Sequence, residues 1–595
     1  MALPFWFKNL DKRIGFRVVL AIYVLLTAGK LLAVLSWVAE GYGPFLFLDE
    51  LLYKLNSKAL FNRQSYYSVH YPPLYPLTLA LAFFSQGSWY TWMLAINCLI
   101  SSAIVFPVWL IGIRVLPASM ALAATMISAL MPYHFIYPRM IMSENLFLPI
   151  FLFTVYLVLS AKNRFWLADI VTGCSLALAY LTRYIFLVAI PVLLAVWWLR
   201  ARSGDAMNRK SPLGRARFFY RPLAILVGYL LTYLPWMIYV HSSGSSLMRA
   251  FLGTARPTTI AKAASLESLI MWVSAYVSYV ILVMAPYIPL VFLYLLLVLT
   301  KKLKNTSEEK AFLILLIGLT AVFLATSIHH SWKGSYNYPT PQYLLGRYLV
   351  QLTPLFCILG LMTLNKLREL RDRPNVVETV VCSMLSLGSV YLARGLLYRQ
   401  MVWDLPPWFA KIVFNSPDSI VYDSMETTRL VFGVICMIAV VLLIGQVTDF
   451  TRDRALATLL ILSIIGVQAI SFVSVNRRML PFGKQGVHAR RLDRVLSDKL
   501  TVGSETITLV NDLDRAGVTN SLLRHGLIFW GLPKHKLSIV SGDSPVPGAS
   551  LGRYIFTDKL NVSPLLRLRY KVDDREYHLY ERGRVSDLPA PFVEH

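Results

Sequence analysis

The residues equipped for chemistry fall in a few short, separated segments. Asp49 and Glu50 stand side by side in GPFLFLDELL, and His70 opens HYPPLYPL. Arg139 and Glu144 share the run YPRMIMSENLF, and Arg183 interrupts LAYLTRYIFLV. His329, His330, Lys333, Tyr336, Arg347 and Tyr348 all belong to SIHHSWKGSYNYPTPQYLLGRYLVQLTPLF. Arginine and lysine hold phosphate oxygens, arginine through a bidentate fork. A carboxylate takes the proton of an attacking hydroxyl as the new bond forms. Phosphate leaves readily and needs charge stabilisation more than a general acid. Together these residue types suit nucleophilic substitution at a carbon whose leaving group is a phosphate.

Each residue also has a plainer reading. Asp49 and Glu50 suit the first turn of a helix, where the dipole favours acids. Arg139 and Glu144 are close enough in sequence to pair with each other. Arg183 can snorkel to lipid headgroups. Adjacent His329 and His330 point in different directions on a helix, so both are not expected on one metal. Arg347 falls inside an apolar run, where an unpaired guanidinium is costly and calls for an anionic partner from protein or ligand.

The elements that carry these residues are set by hydrophobicity. Of 595 residues, 56% are hydrophobic and only 15% charged, with a mean hydropathy of +0.56. Apolar runs near the ~20 residues of a membrane-spanning helix recur along the chain. They are continuous rather than alternating, which argues against a barrel. The expected spans are 15–38, 90–112, 117–136, 142–160, 166–182, 184–201, 222–241, 272–299, 311–329, 344–364, 377–397, 428–447 and 455–475. The apolar stretch 72–84 is too short to cross and reads as an interfacial or re-entrant helix.

Parity of the charged loops agrees. With 72–84 not crossing and the N-terminus cytoplasmic, Arg114, Lys162, Arg164 and the loops 202–221, 301–310, 365–374 and 449–454 all fall inside. The first of those loops alone holds Arg202, Arg209, Lys210, Arg215, Arg217 and Arg221. The formal charge of +26 is thus a feature of membrane-facing loops and not of a nucleic-acid binder. Lys8, Lys12, Arg13 and Arg17 precede a first span without a clear cleavage site, which reads as a retained anchor. Every segment with candidate chemistry then lies on the outer side, where a lipid-borne substrate is presented.

Residues 476–595 follow as a polar outer tail, with a basic start at Arg477, Arg478, Lys484, Arg490 and Arg491. Strand-like runs TITLV, KLSIV and YHLYE, separated by turn formers, predict a small α/β or α+β domain. Asp512 and Asp514 form a D-x-D that reads as a turn before it reads as a metal site. The five cysteines lie in or beside apolar segments, so the tail is not a disulfide-built module.

These residues resemble the GT-C superfamily of polytopic glycosyltransferases that use polyprenyl-phosphate sugars. Its relatives include protein O-mannosyltransferases, the lipid A aminoarabinose transferase and mycobacterial arabinofuranosyltransferases. The resemblance rests on LDE at 48–50, HYPPLYPLTLAL at 70–81, YPRMIMSENLF at 137–147, LAYLTRYIFLV at 178–188 and LLGRYLVQLTPLF at 344–356, in that order. It covers roughly 1–475 and implies a transmembrane catalytic domain there, with 476–595 as an extracytoplasmic domain that helps bind the acceptor. It implies inverting transfer of one sugar to a cell-envelope glycan, lipid or protein, in a plasma membrane. Asp49 becomes the catalytic base, and Glu144 supports the acceptor or a metal. By their own chemistry Arg139, Arg183, Lys333, Arg347, His70 and Tyr348 are expected as contacts to donor phosphate or substrate, and Glu50, His329 and His330 as contacts to substrate or metal. Metal dependence differs among members, so a divalent cation stays open. No WWDYG-like motif is present, which argues against transfer of whole glycans to asparagine. Two other readings remain: a transporter or flippase of lipid-linked sugars, and a polymerase or ligase of lipid-linked oligosaccharides. Against the first, the charges gather at one face and no repeated halves are evident.

Overall fold

A computed structural model describes residues 12–43, 48–85, 87–131, 133–162, 166–205, 212–243, 265–284, 287–332, 343–344, 346–369, 376–397, 401–402, 412–416, 419–422, 506–511, 536–541, 554–557, 566–572 and 577–582. The chain divides into two compact units, Met1–Ser36 with Asn56–Met479, and Trp37–Leu55 with Leu480–His595.

Apolar runs become helices long enough to cross a membrane. Among the described residues five pass by length and composition: Gly15–Ala39, Trp89–Val115, Tyr184–Arg202, Tyr220–Ser242 and Ser307–Trp332. The expected span 117–136 is a bent pair, Ala118–Ala129 and Tyr133–Arg139, with 54° between its halves. The first helix, α1 (Lys12–Ala39), ends in a left-handed glycine, Gly41, at φ 79°. The Gly41 N–H donates to Val38 O (2.9 Å) and the Tyr42 N–H to Trp37 O (3.0 Å), which closes the last carbonyls of the helix. Phe16, Leu20, Val24, Leu25, Leu32 and Leu35 of α1 are exposed, an apolar surface suited to lipid.

Further helices are α2 (Leu48–Phe61), α3 (Leu74–Ala80), α4 (Trp89–Ser102), α5 (Val105–Val115), α6 (Ala118–Ala129), α7 (Tyr133–Ile136), α8 (Glu144–Leu159) and α9 (Trp166–Thr182). After these come α10 (Ile190–Asp205), α11 (Pro212–Ser242), α12 (Leu266–Val283), α13 (Ile288–Leu299) and α14 (Ser307–Trp332). The last described are α15 (Arg347–Val350), α16 (Thr353–Glu369) and α17 (Val376–Leu397). The stretch 72–84 forms α3 and one 3-10 turn, Leu81–Phe84, and is too short to span hydrocarbon. Trp109, Phe151, Tyr180, Tyr233, Trp272, Tyr276 and Phe323 lie in the buried core that the bundle shares.

Two expected spans are corrected. The single span 272–299 is two helices, α12 and α13, with a proline in the first turn of α13. The span 344–364 does not begin at 344. Tyr343–Leu344 is a strand, α15 is a separate turn, and the long helix starts at Thr353. Arg347 therefore sits on a short turn before the membrane helix rather than inside it. Spans 428–447 and 455–475 lie outside the described residues.

One end of the first unit is tied by ion pairs. Arg200 pairs with Glu308 and donates from Nε to Leu159 O (3.1 Å), and Arg114 reaches the same carboxylate at 3.4 Å. Arg221 Nε lies 2.8 Å from Asp169 Oδ2, its Nη2 donates to Ala161 O (2.6 Å), and its guanidinium covers Trp197. Lys366 pairs with Glu309 (2.8 Å) and Lys302 with Glu378 (2.7 Å). Thr306 and Glu309 form a reciprocal capping box at the start of α14. Arg114, Arg200, Arg221, Lys302 and Lys366 thus gather at one end, as loop parity requires. The broken span α12–α13 still returns the chain there, where Lys302 meets Glu378.

Close packing of α9 on α11 needs two glycines. A Cβ on Gly173 would strike Ile225 O, and one on Gly228 would strike Ile170 O. The Cys174 thiol donates to Gly228 O (3.3 Å) across this crossing.

The described strands make two sheets. β1 (Tyr343–Leu344), β2 (Met401–Val402), β3 (Ile412–Ser416) and β4 (Ser419–Tyr422) run in the order β1-β2-β4-β3, with β1 parallel to β2 and the other pairs antiparallel. The second unit contains β5 (Thr506–Asn511), β6 (Lys536–Ser541), β7 (Tyr554–Thr557), β8 (Leu566–Val572) and β9 (Tyr577–Arg582). Their order is β6-β5-β7-β9-β8, parallel at β5 with β6 and β7 and antiparallel at β9. The three runs expected as strands are β5, β6 and β9. Asp512 and Asp514 lie outside the described residues.

Candidate functional site

Two helix ends define the site. α8 starts at Glu144, and α9 finishes just before Arg183, whose extended backbone breaks the chain ahead of the turn Tyr184–Ala189. α8 is 16 residues long, about 24 Å at 1.5 Å per residue, so Glu144 is a membrane-scale distance from Leu159 and its Arg200 clamp. Glu144 and Arg183 form an ion pair, with side chains 9% and 11% exposed. The Arg183 guanidinium also lies 5.8 Å from the Phe147 ring centroid and 5.5 Å from that of Tyr348. Arg347 covers the same tyrosine at 5.7 Å. His330 meets the Tyr348 ring edge-on at 6.1 Å, and Arg347, His329 and His70 are close enough to act on its charge. Two guanidiniums and the His330 imidazole thus converge on Tyr348, with the Glu144 carboxylate on Arg183. Such a cluster can bind a phosphate-bearing group.

The turn that precedes Glu144 is held by amides. The Asn145 Nδ2 donates to Tyr137 O (2.8 Å), Met142 O (3.0 Å) and Met140 O (3.3 Å). Asn97 Nδ2, from α4, donates to the same Met140 O at 2.8 Å, and its Oδ1 accepts from the Tyr75 hydroxyl at 2.9 Å. The short helix α3 is thereby connected to the turn that carries Arg139 and Glu144. Arg139 is buried in this turn, beside Cys98.

Aromatic side chains hold the His70 segment. Tyr184 donates to Val69 O (3.1 Å) and accepts from Trp236 Nε1 (3.2 Å). The Tyr66 N–H donates to the Tyr239 hydroxyl at 2.9 Å, and the Tyr66 hydroxyl donates to Tyr71 O at 3.0 Å. His70 itself is exposed. The segment that follows α2 is thus bound to the end of α11 and to the residue next to Arg183.

The structure brings together Glu144, Arg183, Arg347, Tyr348, His330 and His70, with His329 exposed beside them. The alternative pairing of Arg139 with Glu144 is not the one formed, because Arg183 takes that carboxylate. Asp49 and Glu50 open α2 in its first turn, Asp49 partly exposed and Glu50 buried, and they belong to the other compact unit. Lys333 and Tyr336 lie outside the described residues. Among the described residues no group of three or more His, Cys, Asp or Glu side chains is arranged to hold a metal ion.

Sequence reasoning missed Asn97, Asn145, Tyr184, Trp236 and Lys30. Lys30 is buried in α1, donates to Ser101 Oγ (3.0 Å) and neighbours Cys98 and His134. An amine inside LTAGKLLAV was a readable signal, since an ionisable group within a span demands a reason. The asparagines carried a weaker one, being amides within or beside apolar runs.

No family model matches the sequence, and no curated protein matches it. Among solved structures the chain is similar to ArnT from Cupriavidus metallidurans, both bound to undecaprenyl phosphate and in the apo state. Each comparison has a TM-score of 0.53 and 14% identity, and covers 96% of this chain and 99% of that one. An oligosaccharyltransferase from Archaeoglobus fulgidus aligns with a TM-score of 0.36 and 12% identity, over 72% of this chain and 60% of that one. The likeness to ArnT extends over nearly the full length of both chains, and this chain is a multi-pass membrane protein with the GT-C fold.

Proposed function

We propose that this chain is a membrane glycosyltransferase that moves one sugar from a polyprenyl-phosphate donor to a cell-envelope glycan, lipid or protein, with inversion. The observation that carries this reading is the convergence of Arg183 and Arg347 on Tyr348. Two fixed guanidiniums suit the phosphate of a lipid-linked donor, and ArnT, of the same fold, was crystallised with undecaprenyl phosphate. In this mechanism Arg183 and Arg347 hold the phosphate oxygens and stabilise the charge that grows as the C1–O bond breaks. His330, Tyr348 and His70 line the donor, and Arg139 and Lys333 serve as further contacts to donor phosphate or substrate.

Asp49 takes the proton of the attacking hydroxyl. Glu50 and His329 serve as contacts for the acceptor. Residues 1–475 form the catalytic domain in a plasma membrane with a cytoplasmic N-terminus, and 476–595 an extracytoplasmic domain that engages the acceptor.

The test is transfer by purified protein offered a panel of radiolabelled polyprenyl-phosphate monosaccharides, with a cell-envelope glycan extract as acceptor. Incorporation from one donor supports the reading and names the sugar. No incorporation, with specific binding of lipid-linked oligosaccharides, supports a transporter or polymerase instead.

A further inference from the structure

The cluster contains an acid where an anion site would be expected to contain none. Glu144 is almost fully buried, and Arg183 is the cation paired with it among the described residues. The guanidinium is packed against Phe147, which lies on α8 one turn beyond Glu144, and against Tyr348. A phosphate that approaches Arg183 therefore meets a carboxylate already in contact with it. Repulsion between them acts in a partly desolvated site, where charges are weakly screened.

This matters because, on the reading proposed above, the ligand changes charge during the reaction. The donor is a phosphodiester with one negative charge. An acceptor hydroxyl oxygen bonds to the sugar C1, the C1–O bond to phosphate breaks, and its electron pair leaves with the phosphate oxygen. The hydroxyl proton passes to the base. The lipid leaves as a phosphate monoester, whose second pKa is about 6, so near neutral pH it carries close to two charges. Arg183 and Arg347 by themselves would bind that product more tightly than the donor, and product would accumulate on the protein.

We propose that Glu144 acts through Arg183 as a built-in counter-anion that offsets this preference and speeds release of the polyprenyl phosphate. It is a positioning residue that sets the charge selectivity of the site. It transfers no proton. The inference rests on the assignment of Arg183 to the donor phosphate, and the experiment separates the two.

Affinities of a long-chain polyprenyl monophosphate and of its methyl phosphodiester are measured on detergent-purified wild type, Glu144→Gln, Glu144→Asp and Arg183→Met. Wild type should bind the two lipids with similar affinity. Glu144→Gln should favour the monoester by about fivefold or more, the scale of one unit charge removed at short range. Its steady-state turnover should be slowed relative to its own first turnover. Glu144→Asp keeps the charge and should keep the wild-type ratio. An unchanged ratio in Glu144→Gln overturns the inference. So does a wild type that already favours the monoester about fivefold or more, a measurement that stands even where Glu144→Gln does not fold. If Arg183→Met leaves both affinities unchanged, the donor-phosphate assignment fails, and the inference with it.

Discussion

Asn97 and Asn145, on different helices, donate to one backbone oxygen, Met140 O, at 2.8 and 3.3 Å. That shared acceptor fixes the turn from Tyr137 to Met142, which ends where Glu144 begins its helix. Asn145 also bonds Tyr137 O and Met142 O, which already accept from the Met140 and Asn145 backbone N–H groups, so one side chain adds a second bond to each.

Asn145→Leu keeps the volume and removes the donors. It should destabilise the folded protein by about 1–3 kcal/mol, the loss of the bonds made by its two amide hydrogens at about 0.5–1.5 kcal/mol each. It should also weaken binding of the donor, since Glu144 and Arg183 depend on the turn. Thermal unfolding together with donor affinity checks this. A variant as stable as wild type, with unchanged affinity, contradicts the clamp.

The limits of the sequence follow from the same residues. Apolar runs and basic loops were legible because hydrocarbon and anionic lipid select by composition over many residues. Strands β5 and β6 were legible by their β-branched runs and β9 by its tyrosines, with turn formers between them. The break between Val283 and Ile288 was hidden in a run that is apolar throughout. The partner of Glu144 was hidden for another reason: Arg139 is near in sequence, but the antiparallel return of α9 puts Arg183 beside it. Arg347 read as a residue within a span because a short turn and the following helix share one apolar pattern.

The pair Arg221–Asp169 is buried, at 2% and 1% exposure. Asp169→Asn should therefore destabilise by about 3–5 kcal/mol, because an uncompensated guanidinium remains inside. The proposed donor site is at the far end of α9, so donor affinity of the folded fraction should stay at the wild-type value. Unfolding curves and binding on the same preparation check both statements. A large loss of affinity without a loss of stability contradicts this division of roles.

Gly173 permits α9 to lie against the backbone of α11 at Ile225. Gly173→Leu should separate the helices and yield protein that aggregates in detergent, whereas Leu at Gly29, where no atom lies within 4 Å, should be tolerated. Size-exclusion profiles of the two variants make the comparison. A monodisperse Gly173→Leu protein contradicts the close crossing.

Arg347 shares Tyr348 with Arg183 but stands on its own short turn. Arg347→Ala should raise the apparent KM for donor about tenfold or more, the loss of a charge-assisted contact, with a smaller effect on stability. Unchanged donor affinity removes Arg347 from the phosphate site.

The central claim is that Asp49 takes the acceptor proton while the arginines hold the donor. The most direct measurement is Asp49→Asn (D49N), compared with wild type in transfer from the cognate donor and in binding of that donor. Turnover should fall at least about a thousandfold, within the range for loss of a general base, with donor affinity and unfolding temperature close to wild type. Near-normal turnover by D49N contradicts the mechanism and removes Asp49 from it.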